Sequence, residues 1–281
     1  MLHSSLIVAT TLFGVLAKVV FAAPAVAQHA KRSPTCDFPN PSPASNSVLP
    51  TPSRIPAGMT VNAPMSAGGR RYGRGVKCGE KKEGGEKDAV FILEANATLE
   101  NAVIGADQNK GVYCLGSCTL RNIWFEDVCE EAIIIKQESG TSTIIDGGAK
   151  GASDNVVQHN GGGRFSPNRK ARCAPMLIRP NLYVGLVQIS SYCVQDFGKL
   201  YRSCSNCKSQ TKRQVIISQV IARNGKLLAS VNANYGDVAT IDTKSNSYTG
   251  VNHVCNTVLG NNSGGESTTL SRNRVNAHCD F

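Results

Sequence analysis

Aromatic residues are scarce in this chain: Trp, Tyr and Phe make up 6% of its 281 residues, with a single Trp. Proteins that grip single-stranded nucleic acid stack its bases on aromatic rings, so this scarcity argues against that class. Acidic residues are also in deficit, 20 against 30 Lys and Arg, for a net charge of +10. That balance favours a polyanionic partner, and for a secreted chain acidic polysaccharide is the expected one. Helical patterning is missing, since no long run places apolar residues at i, i+3, i+4 and i+7. A second CxxC is missing too. Cys204-Ser-Asn-Cys207 stands alone, so a zinc or redox motif gives way to disulfide-bonded cysteines.

Only one apolar run approaches membrane-spanning length, residues 6–23, and Lys18 interrupts it. Its N-terminal position and the small residues Ala25-Val26-Ala27 read as a secretory signal over 1–27 rather than an anchor. The mature protein is then expected outside the cell, free of membrane and monomeric. Lys31-Arg32 offers a dibasic processing site. Seven prolines from Pro34 to Pro56 stand among serines, so residues 28–57 read as a pro-segment and linker. The body is expected over 58–281, enough for one core. Asn96-Ala-Thr98 and Asn261-Asn-Ser263 fit glycan acceptor sequons.

What recurs is the short strand. AVFILEA, TLENAVIGA, CTLRNIWFEDV, STIIDGGA, LVQISSYCVQDF and QVIISQVIARN are rich in Val, Ile and Thr and bounded by Gly, Asn and Asp. Leu99 and Leu120 lie 21 residues apart, Leu120 and Ile144 24, and Ile189 and Ile217 28. A period of 20–30 residues built of short strands suggests a solenoid whose turns stack to bury what none buries alone. The fold class is therefore all-β, a parallel β-helix, with a β-sandwich as the alternative. The cysteines point to disulfides.

One interval breaks the period: Ile144 to Ile189 is 45 residues. Residues 164–185 carry five positive charges, no negative ones, three prolines and Cys173. Without them the spacing becomes 23 and the eleven cysteines become an even ten. They read as an insertion foreign to the repeat, either a long loop or coding sequence wrongly retained in the gene model.

Two stretches carry chemistry. EDVCEEAIIIK packs Glu126, Asp127, Glu130 and Glu131 into six residues of a cationic chain. Carboxylates at one spot repel unless a cation lies between them. Ca²⁺ suits such a cup because it takes six to eight oxygens in flexible geometry, and a solvated acidic edge balanced by Lys136 is the alternative. DFGKLYRSC sets Lys199 and Arg202 three apart beside Gly198.

Taken in order, VFILEANATLENAVIGADQ, GVYCLGSCTLRNIWFEDVCEEA, DGGAKGASDNVVQHNGGG, DFGKLYRSCSNC and NANYGD resemble the family 3 polysaccharide lyases, secreted pectate lyases. The resemblance covers about residues 65–250 apart from 164–185. It implies a right-handed parallel β-helix, Ca²⁺ as cofactor, and β-elimination on de-esterified polygalacturonate. By position, it places Asp127, Glu130, Glu131 and Glu86 in the metal cup. It places Lys136, Lys199 and Arg202 along a cationic groove, with Arg202 on the substrate carboxylate and Lys199 binding substrate or acting as base. Three positions depart from the family pattern. Lys110 stands where an acidic residue is usual, Tyr113 where His is usual, and Asn155 where a lysine proposed as the base is usual. These departures raise an alternative, a catalytically impaired pectin-binding protein on the same fold.

Overall fold

The computed structural model describes residues 36–39, 45–63, 70–79, 84–162 and 185–281, all within one compact unit, Ser33–Phe281. The expected signal 1–27 and the dibasic pair lie outside the described residues, as do all but the last residue of the 164–185 stretch.

Among the described residues twenty strands wind into a coil with three faces, and all the strand pairings but one are parallel. This is the parallel β-helix the spacing predicts, right-handed as parallel crossovers are. One face stacks Thr60–Asn62, Ala97–Glu100, the start of Cys118–Phe125, the start of Thr141–Lys150, Leu186–Ser190, Gln214–Ser218 and Val238–Ile241. The residues used to measure the period are register partners there. Leu99 pairs with Leu120, Leu120 with Ile144, Ile144 with Ile189, and Ile189 with Ile217. All five side chains are buried, so they form one aliphatic column down the core. The 45-residue step from Ile144 to Ile189 is a single step of this ladder.

Sharp corners separate the faces, and left-handed residues make them. Asn101, Asn122, Asp146, Ser191 and Gln219 have φ between 51° and 57° and follow one another from turn to turn at the first corner. Short polar side chains tolerate this conformation and bond locally. Asn122 Nδ2 donates to Asn101 Oδ1 at 2.8 Å, and Asn101 Nδ2 to Asn62 Oδ1 at 2.9 Å. Gly151, Asp196, Asn224 and Gly250 do the same at the next corner.

The face beyond that corner is the longest. It stacks Ser53–Ile55, Ala89–Leu93, Lys110–Cys114, Glu131–Ile135, Asn155–His159 and the ends of Cys193–Ser203, Ile221–Asn232 and Ser247–Leu259. Its inward column is Val112, Ile133, Val157, Tyr201, Ala229 and Cys255. At each of these buried side chains the coil gains roughly 1.5–3 kcal/mol if the side chain is large and aliphatic.

The fold begins earlier than the linker reading places it. Ser45–Val48 pairs with Arg70–Gly73, and Ser53–Ile55 pairs with Ala89–Leu93, so both belong to the coil. Proline suits this position because terminal strands leave one edge unpaired. Ahead of them, Cys36 is bonded to Cys193, and Phe38 packs edge-on against Trp124 with ring centres 5.0 Å apart.

Ten cysteines form five disulfides: Cys36–Cys193, Cys78–Cys129, Cys114–Cys118, Cys204–Cys207 and Cys255–Cys279. The CxxC is thus a disulfide. Cys173 lies outside the described residues.

Candidate active site

The long face builds the site by register. Lys110 pairs with Glu131, Glu131 with Asn155, Asn155 with Lys199, and Lys199 with Leu227. Three positions further along each strand, Tyr113, Ile134, Gln158, Arg202 and Ser230 form a second row. Residues scattered over nearly 120 positions of sequence thus become two adjacent lines on one surface.

Lys199 and Arg202 come together. Both line an open cleft of about 320 Å³ with Asp154, Asn206, Ser230, Asn256 and Glu266. Lys199 Nζ donates to Asp154 Oδ1 at 2.6 Å. Arg202 donates through Nη1 to Gln158 Oε1 at 3.3 Å and through Nη2 to Ser205 Oγ at 2.8 Å. Gly198 allows this close stacking, because a Cβ there would fall 2.3 Å from the Asp154 carbonyl oxygen and 2.6 Å from that of Ser153.

Asn155 is fully buried in the middle of this arrangement. Its Nδ2 donates to Asp154 Oδ2 at 2.8 Å and to Gln158 Oε1 at 3.2 Å. One amide therefore steadies the acceptor of Lys199 and the acceptor of Arg202 together. Its own Oδ1 has no partner. Asp154 and Gln158, which the sequence reading did not single out, flank Asn155 in the quoted ASDNVVQHN. Their proximity to Asn155 was the available signal.

Lys136 stands apart. Its ammonium lies over the Tyr113 ring, 5.1 Å from the centre, a cation–π contact. It lines a neighbouring cavity with Glu138, Asn160, Gly161, Gly162, Ser209 and Thr211.

The four carboxylates expected to hold calcium are divided among different partners. Glu130 and Glu131 both accept from the Lys110 ammonium. Burial pushes the Lys110 pKa down, but the hydrogen bonds to Glu130 and Glu131 outweigh it and leave it above its ordinary value. Glu86 pairs with Arg54 at 3.0 Å, and Arg54 also pairs with Glu94. Asp127 is exposed at the second corner, packed on Gly151. Among the described residues no three His, Cys, Asp or Glu side chains converge as metal ligands. Calcium does not fit this donor set as it stands, because an ammonium already fills the place between the two glutamates.

A second polar cluster is sealed inside the coil. His159 Nδ1 meets the Tyr201 hydroxyl at 2.8 Å, and burial, with Arg213 nearby, lowers the His159 pKa to about 3. Arg213 is fully buried and donates to the carbonyls of Asn160 at 3.0 Å and Gly161 at 2.5 Å, while its backbone N–H donates to Asp237 Oδ1 at 2.8 Å. Burial pushes the Asp237 carboxyl up, against the backbone hydrogen bonds of Arg213 and Asn232.

Fold and surface together define a disulfide-bonded parallel β-helix with an open polar cleft on one face that presents Lys199 and Arg202 beside Asp154 and Glu266. A profile of the pectate lyase family matches residues 38–169 and 177–264. A probable pectate lyase D of Neosartorya fischeri is 42% identical over 249 residues, covering 89% of this chain and 92% of that protein. A probable pectate lyase E of Aspergillus fumigatus is 47% identical over 219 residues, covering 78% and 74%. Among solved structures, the catalytic domain of pectate lyase PelI from Erwinia chrysanthemi superposes with a TM-score of 0.63 at 26% identity, over 81% of this chain and 94% of that domain. A complex of PelI with tetragalacturonic acid gives 0.61 at 25% identity, over 81% and 67%. The chain belongs to the pectate lyase family, a family of polysaccharide lyases.

Proposed function

We propose that this chain is a secreted pectate lyase that cleaves de-esterified polygalacturonate by β-elimination, releasing unsaturated oligogalacturonides. Beyond family membership, Arg202 carries the reading. Its guanidinium opens onto the cleft and is held by the neutral oxygens of Gln158 and Ser205. A planar fork of donors so held has its charge free for a sugar carboxylate, which it matches two bonds at a time.

The chemistry asks for such a group. The C5 proton of galacturonate lies α to a carboxylate, and charge flows onto that carboxylate as the proton leaves. Arg202 stabilises the charge where it develops. Lys199 takes the proton once it has given up its own and stands as the neutral amine; if Arg202 is the base instead, it must likewise first be deprotonated, and Lys199 then holds the carboxylate. The C5–H electrons form the C4=C5 bond, the C4–O bond breaks, and the departing oxygen takes a proton from water. Lys136, in the neighbouring cavity, holds the carboxylate of an adjoining sugar. Secretion follows the reading of 1–27 as a signal, and the protein works as a monomer.

A second reading, a pectin-binding protein without activity, is favoured by the buried amide of Asn155 where the resemblance places a lysine. Ultraviolet absorbance over polygalacturonate, in calcium and then in chelator, separates the two. The lyase reading expects absorbance to grow, and Arg202→Ala to slow it by about 10²–10³-fold. A folded protein that retains pectate yet yields no absorbance establishes the binder instead.

A further inference from the structure

The carboxylate pair Glu130–Glu131 already has its cation. We infer that Lys110 is a built-in replacement for a metal ion at this site, so that the pair takes no calcium in this protein. The inference concerns ion occupancy and stands whether or not the chain cleaves pectate.

Lys110 begins the strand Lys110–Cys114 and pairs directly with Glu131 of the next turn. Its ammonium donates to one oxygen of Glu131 and pairs with one of Glu130. The lysine side chain is only 7% exposed, and the two glutamates are 24% and 18% exposed. Both Glu130 oxygens also accept from the Gly84 N–H at 3.2 Å, which turns that carboxylate towards the lysine. The lysine stem is boxed in: a Cβ on Gly84 would lie 3.2 Å from Lys110 Cγ. At 7% exposure the side chain holds its ammonium in the interior between the two glutamates.

Calcium needs six to eight oxygens around it. Here the centre between two of its best donors holds a nitrogen with three hydrogens and no acceptor. A dication brought to the same place would meet a like charge in a poorly solvated pocket. Glu86 adds no help, because its carboxylate is turned to Arg54. Lys110 gives the pair one positive charge permanently, where a metal would give two reversibly.

The experiment counts calcium ions by isothermal titration calorimetry on the purified full chain. The wild type and Glu130→Gln/Glu131→Gln are expected to bind the same number of ions. Lys110→Asp is expected to bind one more, with a melting temperature that rises by about 3 °C in millimolar calcium. A calcium site present in the wild type and lost in the double variant overturns the inference. So does a folded Lys110→Asp protein that gains no ion. Should the variants fail to fold, the unmodified chain still decides. The Lys110 ammonium is expected to give a solvent-protected nitrogen resonance at neutral pH that calcium leaves unmoved. Displacement of that resonance by calcium refutes the proposal.

Discussion

Asn155 stands where the resemblance places a lysine, and its amide links the holders of two cations. It donates to Asp154 and to Gln158, which in turn hold Lys199 and Arg202. The two cations are thereby tied to one buried group. Asn155→Leu keeps the volume and removes both donors, each worth about 1 kcal/mol. We expect kcat/KM on polygalacturonate to fall on the order of tenfold or more, with retention on pectate weakened as well. Steady-state kinetics beside a pectate-affinity measurement checks this. Unchanged values would mean that Asp154 and Gln158 hold their positions without the amide.

At the scale of the element, the site depends on how closely the strands Asn155–His159 and Cys193–Ser203 stack. Gly198 N donates to the Ala152 carbonyl at 2.7 Å and Lys199 N to the Asp154 carbonyl at 2.6 Å. A methyl group at 198 meets two backbone oxygens, neither of which can rotate away. Gly198→Ala is expected to cost about 1–3 kcal/mol of stability and to move Lys199 out of line with Asp154. Denaturant titration reads the first effect and pectate cleavage the second. Full stability in the variant would show that the two turns can part without loss.

At the scale of the molecule, the sealed cluster around His159 predicts acid sensitivity. His159 is neutral in the folded state, with its pKa lowered to about 3 by burial and by Arg213, against about 6.5 when unfolded. Between these values the unfolded chain binds the extra proton, so stability rises with pH across that window and is lost as pH falls below about 6.5. The slope from this one group approaches about 1.4 kcal/mol per pH unit. Melting curves from pH 7 to 4 check it, and His159→Gln is expected to flatten the slope. The net charge of +10 makes a second prediction. Encounter with polygalacturonate is steered by charge, so association is expected to slow by on the order of tenfold from low to high salt. Surface-bound pectate and a salt series measure it, and a salt-independent rate would locate recognition in short-range contacts alone.

The sequence by itself determined the coil. Each turn must bury an aliphatic residue at a matching place, so Leu99, Leu120, Ile144, Ile189 and Ile217 recur at roughly one turn's length, save for the 45-residue step to Ile189, and proved to be direct neighbours. The spacing of Lys199 and Arg202 did not determine that they meet, because side chains three apart on a regular strand point to opposite faces; the cleft they share was decided by the tertiary structure. Tertiary structure alone decided the partners of the carboxylates. Turns differ in length, so which lysine or arginine lies opposite a given glutamate depends on register, not on spacing. Lys110 reaches Glu131 across 21 residues, and Arg54 reaches Glu86 across 32. Of the acids expected in one cup, Glu130 and Glu131 share Lys110, Glu86 turns to Arg54 and Asp127 lies exposed, an arrangement that only stacking creates. Composition misled at the N-terminus for a similar reason: prolines and serines read as linker, while Ser45–Val48 and Ser53–Ile55 are ordered by the strands they lie against.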